Sequence, residues 1–449
     1  MTRLYCARWV LPGAAETIET GALAVAGETI AAVGPRAELA AQFPDAEVCD
    51  YGEAALLPGL VNCHTHLELT VMRGFLEDVE HDFFAWLGKL TAARNERLSV
   101  EDLRVSALWG AVEAARAGVT CVGDASAEGD TTLRALRDAG LRGVIFLESF
   151  GPDPSAARGN FALLQEKIAA LREFETPLAR VGVSPHAPYT VSAPQLELIA
   201  DLALAEGLPV MMHAAESAAE DELLRRGRGP FADRLRARGI AWNAPKLSPV
   251  QYLERVGLLR TRPLLAHCVR ADAADLSTLA ARDASVAHCP KSNAKLHHGR
   301  APFAEFLRRG LRCGLGSDSV ASNNTCDLLE EARFATLLAR AGGNAVSVKD
   351  ALQAATHGGA RALRLEHLTG ALTPGRQADF VAVALTGPHQ TPVHDPAAAL
   401  LMASTGRDVR LTVVAGREIY RDGQMLTVDE RELRARVREV AEKLERVVD

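Results

Sequence analysis

His64-Thr65-His66 carries the first chemical signal in the chain. Alternate residues of an extended strand face the same way, so these two imidazoles share a side and can chelate one divalent ion. The motif alone is weak, because two hydrogen-bonded histidines at a strand end are commoner than a metal site. It gains weight from what closes the other apolar runs. His213 follows Val210-Met211-Met212, His267 follows Leu264-Leu265-Ala266, and Asp318 follows Cys313-Gly314-Leu315-Gly316-Ser317. The imidazoles of His64, His66 and His213 with the Asp318 carboxylate suit zinc, iron or manganese, and leave a coordination position for water as a catalytic site requires. Glu216 stands three residues after His213. Beside such a metal its carboxylate can relay a proton to a substrate, whereas at an ordinary helix start it would only be solvated. His267 is either a fourth imidazole ligand or a neighbour that orients water and stabilises charge at the reacting carbon.

These residues need a scaffold that brings strand ends together. Eight β-rich runs alternate with helical stretches; they end near Cys63, Ala125, Glu148, Pro185, His213, His267, His288 and Asp318. The first run is read as Leu56–Asn62. Segments 101–117 and 193–206 have helical periodicity between such runs. Eight βα units predict an α/β fold, a (β/α)8 TIM barrel over residues 58–370, with every candidate ligand on the C-terminal rim where barrel enzymes place their chemistry. A doubly wound sheet would instead carry a glycine-rich phosphate turn after its first strand, where this chain has His-Thr-His.

Outside the barrel, Gly21–Ala26 and Thr29–Gly34 flank a Gly27-Glu28 turn and read as a hairpin. The same texture returns in Gln377–Val383 and Leu411–Tyr420, so residues 1–57 and 371–426 are expected to build one small β-sandwich from both chain ends. Residues 427–449 place Leu433, Val437, Val440, Leu444 and Val447 at helical spacing behind a Thr427/Glu430 capping box, predicting a terminal helix docked on the barrel or on a neighbouring subunit of a homodimer.

Composition narrows the class. The chain has 449 residues, 48% apolar and 5% aromatic, with net charge −7. The acidic balance and the lack of a long Lys/Arg run argue against nucleic acid as partner and leave a small molecule. No apolar run is long enough to span a membrane, and the first residues lack a signal-peptide pattern, so a cytoplasmic enzyme is expected. Eight cysteines without a C-x-x-C pair fit neither a disulfide framework nor a cysteine zinc site. Cys63, Cys268 and Cys289, each beside a rim histidine, are read as small buried hydrophobes.

The fourth run leads into Ser184-Pro185-His186-Ala187-Pro188-Tyr189 and offers no lysine to bridge a second metal, so one divalent ion is expected, zinc first and Fe2+ or Mn2+ next. His186 is placed on the rim to contact substrate. Glu68, just past the H-x-H, can bind a ring or sugar or pair with a cation. Arg73 and Trp86 lie in a candidate lid, with Trp86 equally placed to be core. Arg225, Arg226 and Arg228 offer cations for an acidic substrate, but such a cluster on a helix is usually a solvated face.

Together, Pro58-Gly59-Leu60-Val61-Asn62-Cys63-His64-Thr65-His66-Leu67-Glu68, Ser184–Tyr189, His213-Ala214-Ala215-Glu216, His267-Cys268-Val269, His288-Cys289-Pro290-Lys291-Ser292-Asn293, Gly316-Ser317-Asp318-Ser319 and the Gly370–Phe380 return resemble the amidohydrolase superfamily, in its mononuclear aminohydrolase branch. The resemblance implies that His64, His66, His213 and Asp318 bind metal, that Glu216, His267 and Asp318 are catalytic, and that His186 touches substrate. It implies hydrolytic deamination of a 6-aminopurine nucleoside or related amino-heterocycle. Within the branch, the Gly227–Leu253 insertion is most similar to the aminodeoxyfutalosine deaminases of menaquinone synthesis; S-adenosylhomocysteine and chlorohydrolase-like deaminases are also similar. The alternatives are a cyclic-amide or halide hydrolase on the same scaffold, or a non-catalytic scaffold, which would be expected to have lost its ligands.

Overall fold

The computed structural model describes residues 2–13 and 15–445. Eight short parallel strands run through the middle of the chain: Leu60–Thr65, Val119–Ser126, Arg142–Ser149, Ala179–Pro185, Met211–Ala214, Leu264–His267, Ser285–His288 and Arg312–Leu315. The first four form one sheet in chain order and the last four another. Single parallel bridges, Val183 with Val210 and Thr65 with Asp318, connect the two sheets at their edges. Val61, Cys121, Phe146, Met211, Ala266 and Ala287, from six different strands, meet in one buried cluster. All the strands point their C-terminal ends to one side.

Helices between the strands begin and end where local chemistry dictates. Val100–Arg116 starts at a reciprocal capping box between Ser99 and Asp102, and Ala193–Glu206 stops at Gly207 in the left-handed conformation (φ 64°). No helix among the described residues is long and apolar enough to cross a membrane.

Strands from the two chain ends lie in one nine-stranded sheet. Its seam is the antiparallel pairing of Ala54–Pro58 with Phe380–Ala384. Tyr5, Leu23, Leu56, Phe380 and Leu411 pack together on one face, with Tyr5 edge-on to Phe380 at 4.8 Å. The sheet curls enough for Thr29 to bridge Gln377. The hydrogen bonds give a single sheet here where two facing layers were expected. A buried ion pair ties this sheet to the parallel strands: Arg142 Nε donates to Asp379 Oδ2 at 2.8 Å and Arg142 Nη2 to Oδ1 at 3.2 Å, while Oδ1 also accepts from Ala415 N.

Two sequence expectations are corrected. The run Leu56–Asn62 is two strands in different sheets, divided at Gly59, where a Cβ would stand 2.1 Å from Thr120 Oγ1. The terminal helix, Glu430–Glu445, is capped by Asp429, whose Oδ1 accepts from Arg431 N and Glu432 N; Thr427 Oγ1 instead donates to Ala139 O. Leu433, Val440 and Leu444 are buried and Val437 partly so, and Lys443 pairs with Asp102 on the Val100–Arg116 helix, so the helix docks on its own chain. Val447 lies outside the described residues.

Candidate active site

Six of the strand ends deliver the chemistry. His64 closes the first strand and His66 follows it; Glu148 belongs to the third, and His186 follows the fourth. His213 is in the fifth with Glu216 beyond it, His267 ends the sixth, and Asp318 follows the eighth. The ladder between the first and second strands slips between Asn62 and Thr65, a bulge at the position of the histidines. His267 (φ 74°), Ala215 (φ 52°) and Asp318 (φ 59°) all hold left-handed backbone, an uncommon conformation for residues with a Cβ that concentrates at functional sites.

The donor atoms lie close enough together that they could hold a metal ion. His64 Nε2 and His66 Nε2 lie 3.3 and 3.5 Å from Asp318 Oδ1, and His66 Nε2 lies 3.2 Å from His213 Nε2. His213 Nδ1 is 2.8 Å from the carbonyl of His186, which fixes its proton on Nδ1 and leaves Nε2 as a lone pair. Asp318 Oδ2 accepts from Ser292 Oγ and Ser322 Oγ, and Ser319 N donates to Oδ1, so the carboxylate is clamped with Oδ1 facing the imidazoles. His64 is completely buried and neither of its ring nitrogens has a hydrogen-bond partner. An orphaned imidazole is costly unless something else fills its lone pair, and a divalent ion among these donors would do so.

Burial, reinforced by His64, lowers His66 to about 3; burial, reinforced by His186, holds His213 well below its usual value. Both are therefore neutral, as metal ligands must be. Burial would raise Asp318, but His64 and the other imidazoles outweigh it and hold the carboxyl well below the usual range.

Beside these donors, His267 Nδ1 is 2.9 Å from Asn293 Oδ1, and its Nε2 has no hydrogen-bond partner and lies 3.6 Å from Glu216 Oε1. Glu216 Oε1 is also 3.2 Å from His298 Nε2. Burial would raise Glu216, yet His267 and His298 bring it down to about 2. Its backbone N–H is held by buried Glu220, which also takes the N–H of Ala215.

The cavity in front has a volume of about 800 Å³ and includes Phe83, Trp86, Tyr189 and Arg234 in its wall, with the Arg234 guanidinium over the Phe84 ring. Trp86 is buried and stacks on Phe83, while His186 lies against Phe150 and His213. Glu68 borders the cavity, but Ser126 Oγ, Thr131 Oγ1 and the N–H groups of Ala127 and Glu128 occupy its oxygens. Arg73 is not brought in; its guanidinium pairs with Glu113 and borders a separate cleft. Arg225, Arg226 and Arg228 pair with Asp221 and Glu222 at the surface. Cys63, Cys268 and Cys289 are fully buried, and burial pushes each thiol well up.

Sequence reasoning missed Glu148, His298, Glu220 and the clamping serines. Ser292, Asn293 and Ser319 stood within recognised motifs and Glu148 at the end of an apolar run, without assigned roles; His298, Glu220 and Ser322 had no spacing signal.

Comparison with known proteins follows the same lines. The sequence pattern of the amidohydrolase family matches residues 55–419, and an imidazolonepropionase-like composite domain of bacteria matches residues 21–46. The 5-methylthioadenosine/S-adenosylhomocysteine deaminase of Pelotomaculum thermopropionicum is 33% identical over 430 residues, covering 94% of each chain. The protein of the same name from Syntrophobacter fumaroxidans is 35% identical over 435 residues, covering 94% of this chain and 93% of that one. Among solved structures, an adenosine deaminase from Xanthomonas campestris with bound zinc superposes with a TM-score of 0.86 at 29% identity, over 99% of this chain and 98% of that one. A zinc complex of atrazine chlorohydrolase from Arthrobacter aurescens has TM-score 0.84 at 23% identity, covering 98% and 99%, which speaks for the fold alone.

Proposed function

The chain belongs to the amidohydrolase family, and from that premise we propose that it hydrolyses the exocyclic amine of an adenosine-like nucleoside, releasing ammonia. It is a hydrolase of C–N bonds in cyclic amidines. The observation that carries the narrower reading is the pairing of an orphaned imidazole–carboxylate cluster with Glu216 across His267. In this reading the two parallel sheets are halves of one (β/α)8 barrel, and the curled end sheet is its β-sandwich.

His64, His66, His213 and Asp318 hold one divalent ion, zinc by the chemistry of the donors and the zinc found in the structural neighbours. Bound there, the metal supplies Lewis-acid activation of water. The protein's own groups do the rest. Glu216 takes a proton from the incoming water and gives it to the ring nitrogen beside the reacting carbon. His267, its tautomer set by Asn293, stabilises charge at that carbon. Trp86 and Phe83 cover the heterocycle and exclude solvent.

The finer substrate reading is aminodeoxyfutalosine, in menaquinone synthesis. It is supported by the 227–253 insertion, which brings Arg234 and Arg238 to the cavity wall. The test is ammonia release from a panel of 6-aminopurine nucleosides, one bearing a carboxyphenyl group, with dihydropyrimidines and chlorotriazines as controls. Deamination of the nucleosides alone is expected; turnover confined to the controls would replace this reading with a cyclic-amide or halide hydrolase.

A further inference from the structure

Glu331 lies outside the cavity wall, fully buried, and is the only charged side chain on the buried face of the helix Leu328–Ala341. Enclosing a carboxyl group is costly, and an apolar side chain would pack this helix without that cost. Its two oxygens reach two different segments. Oε1 accepts from Asn323 Nδ2 at 2.6 Å, and Oε2 accepts from the backbone N–H of Lys291 at 3.4 Å. The Lys291 ammonium stands 3.8 Å from Oε1 but is bonded to Glu330 and Thr325. Burial pushes Glu331 up to about 8, and a carboxyl that carries its proton keeps acceptor capacity for both neighbours.

Both segments lead to the candidate active site. The same Asn323 nitrogen donates to the carbonyl of Ser317 at 2.5 Å; that carbonyl can only accept, so the amide nitrogen must face both Ser317 and Glu331. The other end of the Ser317–Asp318 peptide is held as well, since Asp318 N donates to His64 O at 2.8 Å. A peptide plane pinned at both ends keeps Asp318 in the left-handed backbone (φ 59°) that turns its carboxylate towards the imidazoles. On the second arm, Lys291 is the second residue of the short helix Pro290–Lys295, so its N–H has no partner within that helix. Glu331 supplies one. The next two residues are Ser292, which donates to Asp318 Oδ2, and Asn293, which bonds His267 Nδ1.

We propose that Glu331 is a positioning residue: through Asn323 and through the start of the Pro290–Lys295 helix it holds Asp318 and His267 in register with each other, touching neither metal nor substrate. The proposal rests on the metal-site reading above, and its first readout needs no substrate.

The test measures zinc affinity by chelator competition, then kcat and KM for adenosine at saturating zinc, in the parent, Glu331→Leu, Glu331→Gln and Asn323→Ala. Arg142→Ala, destabilised at the junction with the end sheet, is the control, and every protein is assayed well below its melting temperature. Glu331→Leu and Asn323→Ala should each weaken zinc binding about tenfold to a hundredfold, as loss of a group that supports metal ligands does, while Arg142→Ala binds zinc as the parent does. Glu331→Gln keeps an acceptor for Asn323 and should bind zinc more tightly than Glu331→Leu. The Glu331→Leu/Asn323→Ala double variant should bind no more weakly than the worse single one, because both act on one chain of contacts. At saturating zinc, Glu331→Leu should lower kcat and leave KM unchanged, through the loosened His267. Parental zinc affinity in Glu331→Leu, a loss no larger than that of Arg142→Ala, or additive losses in the double variant would overturn the proposal and leave Glu331 a stabilising group alone. If Glu331→Leu fails to fold, Asn323→Ala decides by the same measure. If the parent binds zinc and releases no ammonia, the deaminase reading fails and the zinc affinities still decide this one; a parent that binds no zinc overturns both.

Discussion

The rim of the parallel strands and their junction with the end sheet both bury charge, and they do so in opposite ways. At the junction, Arg142 and Asp379 are almost fully enclosed, and Arg142 Nε and Nη2 and both Asp379 oxygens have partners, down to Ala415 N on Asp379 Oδ1. At the rim, the His64 nitrogens, His267 Nε2 and Glu148 Oε1 are buried without partners, and the backbone of His267 and Asp318 is left-handed. A satisfied buried pair holds two parts of a fold together. An unsatisfied, strained cluster persists only because the surrounding structure imposes it, and it is complete only with something bound.

The comparison predicts a separation of effects. Glu216→Gln keeps the shape and the metal donors while removing the proton relay, so turnover should fall by about 10²–10⁴-fold with unchanged metal content and thermal midpoint. Steady-state ammonia release and metal analysis check this, and near-normal turnover would remove Glu216 from the mechanism. Arg142→Ala should do the reverse. It leaves Asp379 buried and uncompensated, at a cost of about 3–5 kcal/mol in unfolding free energy, with kcat/KM retained wherever the protein remains folded. A denaturant titration beside an activity assay reads both, and a matching loss of kcat/KM in folded protein would mean that the junction and the rim are coupled. The smallest effect belongs to the terminal helix: Asp429→Ala removes its cap and should cost about 1 kcal/mol without touching turnover.

Much of the rim was legible in the sequence because polar groups at strand ends leave a signature, an apolar run closed by His or Asp, as at His213, His267 and Asp318. Glu148 was not, since Leu147-Glu148-Ser149 looks like any strand that reaches solvent, and only the enclosure by neighbouring loops shows that it does not. His298 approaches Glu216 from a segment beyond the seventh strand, a juxtaposition without local pattern. Arg73 reads as a lid residue by position, but its partner Glu113 lies forty residues on, on the Val100–Arg116 helix, and draws it away. The continuous apolar texture of 54–62 hid the boundary at Gly59, because hydrophobicity says that a strand is buried and not in which sheet. The Thr427/Glu430 spacing fitted a capping box, while Asp429 sat one residue before the helix and took the N–H groups.

The most direct test of the central claim is a zinc titration of metal-free protein, with ammonia release from adenosine read at each addition. One catalytic ion held by His64, His66, His213 and Asp318 predicts negligible turnover without metal and a linear rise that levels at one equivalent per chain. Full turnover in the metal-free protein, or a break at two equivalents, would contradict it.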